Sequence, residues 1–258
     1  MKRSIRNIIS IATLAALTAV FLLICAGNAK KRALITCEGV NVSFADEYRF
    51  VTEEDVKEYL DKYYGAYIGQ RMDSIKLHKV EDILDVQSAI LKSQAYTTDD
   101  GLLNVIITQR EPVVRFQKED YGFYADECGF IFPLQDNYTS LVPVIDGNIP
   151  IKSAEGFKGA PESEKEKEWL AGVTELLDYM NRSKVWDENI VQMHVDENGD
   201  IVMIPRTGCE RFIFGSPFDP ESKFNRISEY YRYILPEKGE GYYKSVNVKF
   251  DKQIVCKK

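Results

Sequence analysis

The chain has 258 residues, with 33 Lys+Arg against 40 Asp+Glu and a formal net charge of −7 at pH 7. Six of the basic residues and none of the acidic ones lie in residues 1–32, so the rest of the chain carries 27 basic against 40 acidic side chains. So acidic a body argues against a nucleic-acid binder, which needs a basic footprint, and 12% aromatic residues support folded cores rather than a disordered stalk.

Residues 1–7 are a short tail holding Lys2, Arg3 and Arg6. Ile8 to Ala26 follows, nineteen residues without charge, proline or glycine. As a helix rising about 1.5 Å per residue it reaches roughly 28 Å, close to the hydrocarbon thickness of a bilayer. A secretory signal has a shorter apolar core, about 7–15 residues, so an uncleaved transmembrane helix over 8–26 is the favoured reading. Gly27-Asn28-Ala29 resembles a cleavage site, and Leu22 to Cys25 faintly resembles a lipoprotein box with Ile24 too bulky for it. Lys30, Lys31 and Arg32 balance the charges before the span. The positive-inside rule therefore nearly ties, but long domains translocate largely regardless of charge, which favours a cytoplasmic N-terminus and an exported, periplasmic body.

Leu34 to Val42 reads as a short strand. Thr52 caps a helix with Glu53, Glu54 and Asp55 in its first turn, and Val56, Tyr59, Leu60 and Tyr63 share its apolar face. Gly65 and Gly69 end that segment. Asp73 or Ser74 opens a second helix carrying Leu77, Val80 and Leu84. Ala89–Thr97 and Leu102–Thr108 are strands joined by a turn at Asp100-Gly101. Strand, helix, helix, strand, strand makes an α+β module, taken here as residues 34–116.

Residues 117–258 read as a mixed, β-rich second domain. Tyr121–Leu134 forms a hairpin about Asp126-Glu127-Cys128-Gly129. Leu141–Gly147 is a further apolar segment. Ser153–Lys167 is polar and enters a helix with Leu170, Val173, Leu176, Leu177 and Met180 on one face. Val191–Val195 and Ile201–Ile204 flank a turn at Asn198-Gly199, and Cys209–Phe214 is another strand. Phe224, Ile227, Tyr231 and Ile234 mark a helix. Tyr243–Phe250 alternates, with Val246, Val248 and Phe250 on one side.

Several of these segments, in this order, resemble the bacterial division family FtsQ/DivIB. They are Leu102 to Val113 with its Arg110-Glu111-Pro112-Val113 exit, the hairpin at Asp126–Gly129, Pro143-Val144-Ile145-Asp146-Gly147, the run from Phe212-Ile213-Phe214-Gly215 to Lys223–Ile227, and the terminal Tyr243–Phe250. The resemblance implies a POTRA domain followed by a β-domain, and a non-catalytic scaffold of the division complex at the septum. The implied partners are the single-pass proteins FtsB and FtsL, bound so as to help control septal peptidoglycan synthesis. The partner-binding positions it implies are Lys249, Phe250, Asp251, Lys252 and Ile254, with Val246 and Val248 supporting them. Phe250 would be an aromatic anchor. Lys249 stands where the family has arginine, and Gln253 where glycine is common. The competing reading is that Val246, Val248 and Phe250 simply pack the core.

The residues themselves show no catalytic pattern: there is no G-x-S-x-G, P-loop or H-E-x-x-H. His78 and His194 lack metal-ligand spacing, and Glu162–Glu168 reads as a solvated charge run. No cofactor or metal is expected. Cys25 lies in the apolar span; Cys37, Cys128, Cys209 and Cys256 are scattered, and their disulfide state stays open. The alternative from another class is a secreted or lipidated cell-envelope enzyme or carbohydrate-binding protein, which needs a mature chain beginning after residue 25 or 29. A third reading, an export or assembly chaperone, needs additional POTRA-like units or an outer-membrane barrel in the same chain, and the sequence shows no internal repeat and no barrel pattern.

Overall fold

The computed structural model describes residue 14, residues 16–24 and residues 35–258. The expected tail (1–7) and much of the expected span (8–26) lie outside the described residues; 16–24 are helical and exposed. Among the described residues no helix is long and apolar enough to cross a membrane. The body divides into two compact units, one holding residues 51–109 and the chain before Tyr48, the other Tyr48–Phe50 and Arg110–Lys258.

The first unit is a three-stranded sheet with two helices. β1 (Gly39–Phe44), β2 (Ile90–Thr97) and β3 (Leu102–Gln109) lie in the order β1-β3-β2. β1 runs parallel to β3, a pairing that requires a long crossover. α1 (Glu53–Tyr63) and α2 (Leu77–Asp85) supply it. α1 begins in a capping box: Asp55 N–H donates to Thr52 Oγ1 at 3.2 Å, and Thr52 N–H to Asp55 Oδ2 at 2.8 Å. Val56, Leu60, Val80 and Leu84 from the helices and Leu103, Val105 and Ile107 from β3 are fully buried. The Asp100-Gly101 turn joins β2 and β3 as expected, with Gly101 at φ +82°.

The second unit is a nine-stranded mixed sheet. Its strands are β4 (Pro112–Gln117), β5 (Gly122–Asp126), β6 (Ile131–Pro133), β7 (Val144–Gly147), β8 (Ile190–Val195), β9 (Ile201–Pro205), β10 (Arg211–Gly215), β11 (Ser245–Asn247) and β12 (Val255–Lys257). The order across the sheet is β12-β11-β10-β9-β8-β7-β4-β5-β6. Three joints are parallel, β4/β7, β7/β8 and β10/β11. The second and third are bridged by helices: α3 (Glu164–Arg182) and α4 (Lys184–Asn189) lead into β8, and α5 (Pro220–Glu229) leads toward β11. α5 runs on through a π-helical turn (Tyr230–Ile234) into α6 (Leu235–Lys238). Leu170, Val173 and Leu177 of α3 and Phe224 and Ile227 of α5 meet Phe116, Ile145, Met203, Phe212 and Phe214 of the sheet in one core. Phe50 belongs to this unit, its ring 4.9 Å from that of Tyr138, 5.6 Å from Tyr124 and 5.9 Å from Phe132.

Two expectations change. The boundary falls at 109/110, not 116, because Pro112–Gln117 pairs with β5 and β7 of the second unit. The expected strand Tyr243–Phe250 is strand only over Ser245–Asn247; the chain turns at Phe250–Lys252 and returns as β12. Cys37, Cys128, Cys209 and Cys256 are all free thiols.

Candidate functional site

A sheet's open edge is where it can take another strand, so its two ends deserve comparison. At one end the outer edge of β6 is closed: Ile131 N–H donates to Gly159 O at 2.8 Å, and Gly159 N–H to Ile131 O at 2.9 Å. At the other end lies β12, and among the described residues no further strand pairs with it. The three-stranded sheet of the first unit closes its β2 edge differently. Glu81 and Asp85 of α2 accept from Ala95 N–H at 2.9 Å and Ser93 N–H at 2.6 Å.

Which groups β12 offers follows from strand alternation. Arg211 N–H donates to Lys244 O at 2.9 Å and Val248 N–H to Ile213 O at 3.0 Å, so 246 and 248 face β10, while Lys244 turns its carbonyl to β10 and donates its N–H to Lys257 O at 2.8 Å. Ser245 and Asn247 therefore turn their backbone groups toward Lys257 and Val255, their partners on β12. Cys256, between those two, directs its N–H and C=O outward. Its side chain lies opposite Val246 and packs on the core. Burial raises the Cys256 thiol above its ordinary pKa, which keeps it protonated and inert.

The expected site residues separate into two groups. Val246 and Val248 are fully buried and hold the strand to the core. Phe250, Asp251 and Lys252 are exposed on the turn that leads to β12. Phe250 does not continue the alternation, because the backbone leaves the strand before it. Lys249 ties the start of the turn to the β8–β9 hairpin through Asp200 at 2.6 Å, and its ammonium stands 5.3 Å from the Phe250 ring centroid. Lys252 takes a left-handed φ of +57°, which reverses the chain. Ile254 packs partly against the core beside Cys256.

Arg226 of α5 holds the turn from below. It is buried, its Nε donates to Val248 O at 2.9 Å, one terminal nitrogen donates to Ser222 Oγ at 2.9 Å, and Asp251 lies 3.8 Å away. A groove of about 740 Å³ runs between α5 and the turn, lined by Asp219, Glu221 and Glu229 from the helix side and by Asp251 to Ile254. The site is therefore an open strand edge, an exposed aromatic residue beside it, and a polar groove along its flank. Such an arrangement binds an extended segment, with backbone bonds for affinity and alternate side chains for selectivity.

The sequence comparisons fit this architecture. The FtsQ/DivIB, C-terminal related family matches residues 111–257, more than half of the chain, and a POTRA-like domain matches residues 35–108. The chain belongs to the FtsQ/DivIB family. Its two matched regions meet where the two units divide, and FtsQ/DivIB members are division-associated scaffolds. No curated protein matches the chain.

Within this FtsQ/DivIB chain, reasoning from sequence missed β12 and Arg226. A three-residue strand shows no periodicity, although Ile254 and Cys256 sit two apart as one face requires. Arg226 looked like an ordinary helix charge and is instead a buried strut. The described residues contain no group of three or more His, Cys, Asp or Glu placed to hold a metal.

Proposed function

We propose that this protein is a non-catalytic, single-pass membrane scaffold of the division complex that captures FtsB-like and FtsL-like partners at the open edge of β12. Residues 8–26 anchor it in the inner membrane, residues 1–7 stay cytoplasmic, and the POTRA-like and β-domains are exported to the septum. The observation that carries the reading is the asymmetry of the nine-stranded sheet: one end is sealed by Gly159 and the other presents Cys256 outward. Phe250 is the anchor beside that edge, and Lys249, Asp251, Lys252 and Ile254 shape its approach. Val246 and Val248 act from the core by fixing where the turn begins.

The test is co-purification from the host of the full chain, Cys256→Pro and Phe250→Ala. Proline at Cys256 removes the outward N–H while sparing the inward bonds of Val255 and Lys257, a placement that sheet edges tolerate. The natural chain is expected to bring down FtsB-like and FtsL-like proteins. Cys256→Pro should lose them while remaining cooperatively folded, as judged by thermal unfolding. Phe250→Ala should weaken capture by roughly 2 kcal/mol, the scale of an interface hot spot. Full retention by Cys256→Pro would show that partners bind elsewhere.

A further inference from the structure

The helix that follows β10 contains an irregularity that the β12 edge does not use. Leu235 N–H bonds to Tyr230 O, five residues back, and the segment Tyr230–Ile234 is a π-turn between α5 and α6. Such turns are uncommon and concentrate at functional sites. Here the turn carries Tyr231 and Arg232 into the wall of a groove of about 510 Å³. Trp186 and Ile190 supply its apolar surface with Tyr231, and Val185 stands exposed at the rim. Trp186 is held in place by stacking on Phe224, centroids 4.7 Å apart. The Tyr231 ring is fixed against Phe212 at 5.6 Å and against Tyr230 at 5.6 Å.

Arg232 decides what fits. Among the described residues it forms no ion pair; its guanidinium only overlies the Tyr233 ring at 6.0 Å. Arg110, Arg182 and Arg226 each have a carboxylate partner within the fold. An uncommitted guanidinium beside an aromatic, preformed groove complements a large apolar side chain next to a carboxylate. Polar groups at the rim suit a peptide backbone: Ser228 Oγ donates to Phe224 O, which leaves an oxygen lone pair to accept an N–H. We infer that this groove is a second protein-docking site, distinct from the β12 edge, which takes a peptide segment bearing an aromatic or large aliphatic residue adjacent to Asp or Glu.

The experiment uses the full chain in lipid nanodiscs and saturation-transfer NMR with three capped dipeptides, Phe-Asp, Phe-Asn and Ala-Asp. Phe-Asp is expected to bind saturably, Ala-Asp not, and Phe-Asn about tenfold more weakly than Phe-Asp because it loses a charge-assisted bond to Arg232. Arg232→Gln should bring Phe-Asp down to the level of Phe-Asn. Val185→Glu, at an exposed rim position, should weaken Phe-Asp alone. Cys256→Pro should change none of these affinities, since a dipeptide is too short to extend a sheet; this separates failure here from failure at the edge. Equal binding of Phe-Asp and Phe-Asn, a preference that survives Arg232→Gln, or no saturable binding at all would each overturn the inference. Decanoate binding more tightly than Phe-Asp would overturn it too, in favour of a lipid-like amphiphile.

Discussion

Lys223 shows how one residue is governed by competing terms. Its ammonium donates to Ser216 O at 2.8 Å, Ser216 Oγ at 3.2 Å and Phe218 O at 2.7 Å, and lies over the Phe214 ring at 4.9 Å. It closes the loop between β10 and α5, ahead of Arg226. Burial outweighs the attraction of Asp219 and lowers its pKa from 10.5 to about 8. Below pH 8 both folded and unfolded chains are protonated here, and the contribution is flat. Between about 8 and 10.5 the unfolded chain keeps a proton that the folded chain has released, so stability rises with pH across that window. Urea unfolding of the natural chain and of Lys223→Met, followed from neutral to alkaline pH, should show their difference moving in favour of the natural chain. A difference that stays level or falls would reverse the assignment. At this scale the sequence conveyed little, since neither the burial of Lys223 nor that of Arg226 is visible in a helix with charges spaced along it.

Among the elements, the strands and helices with clear periodicity were legible. Thr52 with its acidic first turn, the Asp100-Gly101 and Asn198-Gly199 turns, and the apolar stripe from Leu170 to Met180 all lie where the sequence placed them. What could not be read was set by distant pairing. Ser245–Asn247 is a strand because it adds in parallel to β10, about thirty residues earlier, and β12 exists only because β11 is there to receive it. The junction of these elements is tight. Gly215 ends β10 at φ +84°, and a Cβ built there would lie 2.6 Å from Lys249 Cβ. Gly215→Ala should therefore cost more than the roughly 1–3 kcal/mol of a left-handed non-glycine residue alone. Gly156→Ala is the matched control, with φ +75° and nothing within 4 Å of the added methyl. Urea unfolding of the two variants checks this; equal losses would mean that Lys249 moves aside freely.

For the whole molecule, the acidic body and the apolar segment before it set the expected placement. Full-length protein should stay in the membrane pellet after alkaline carbonate extraction, and a chain lacking residues 1–34 should be released. Protease added to intact spheroplasts should digest the body. Release of the full-length chain by carbonate would remove the anchor from the proposal, whereas protection of the body would reverse its orientation. The two-part architecture was readable because each part has its own rhythm of elements. The position of the division was not, since the Arg110–Val113 segment reads equally well as the exit of one module or the entry of the next.

The discontinuity of the second unit bears on how portable its parts are. A gene segment cut at the 109/110 boundary, close to where the family match begins, would encode all twelve residues from Arg110 to Tyr121 and every strand from β4 onward, yet it would leave Phe50 behind. That ring is 1% exposed among Tyr124, Phe132 and Tyr138. An excised β-domain would thus carry a vacancy the size of a phenyl group, with a cost on the scale of about 3–5 kcal/mol for deleting a buried Phe. Inheritance by shuffling would favour moving both units together, and a designer who wants the second alone must supply a substitute for Phe50, which belongs to its interior but is encoded some sixty positions upstream.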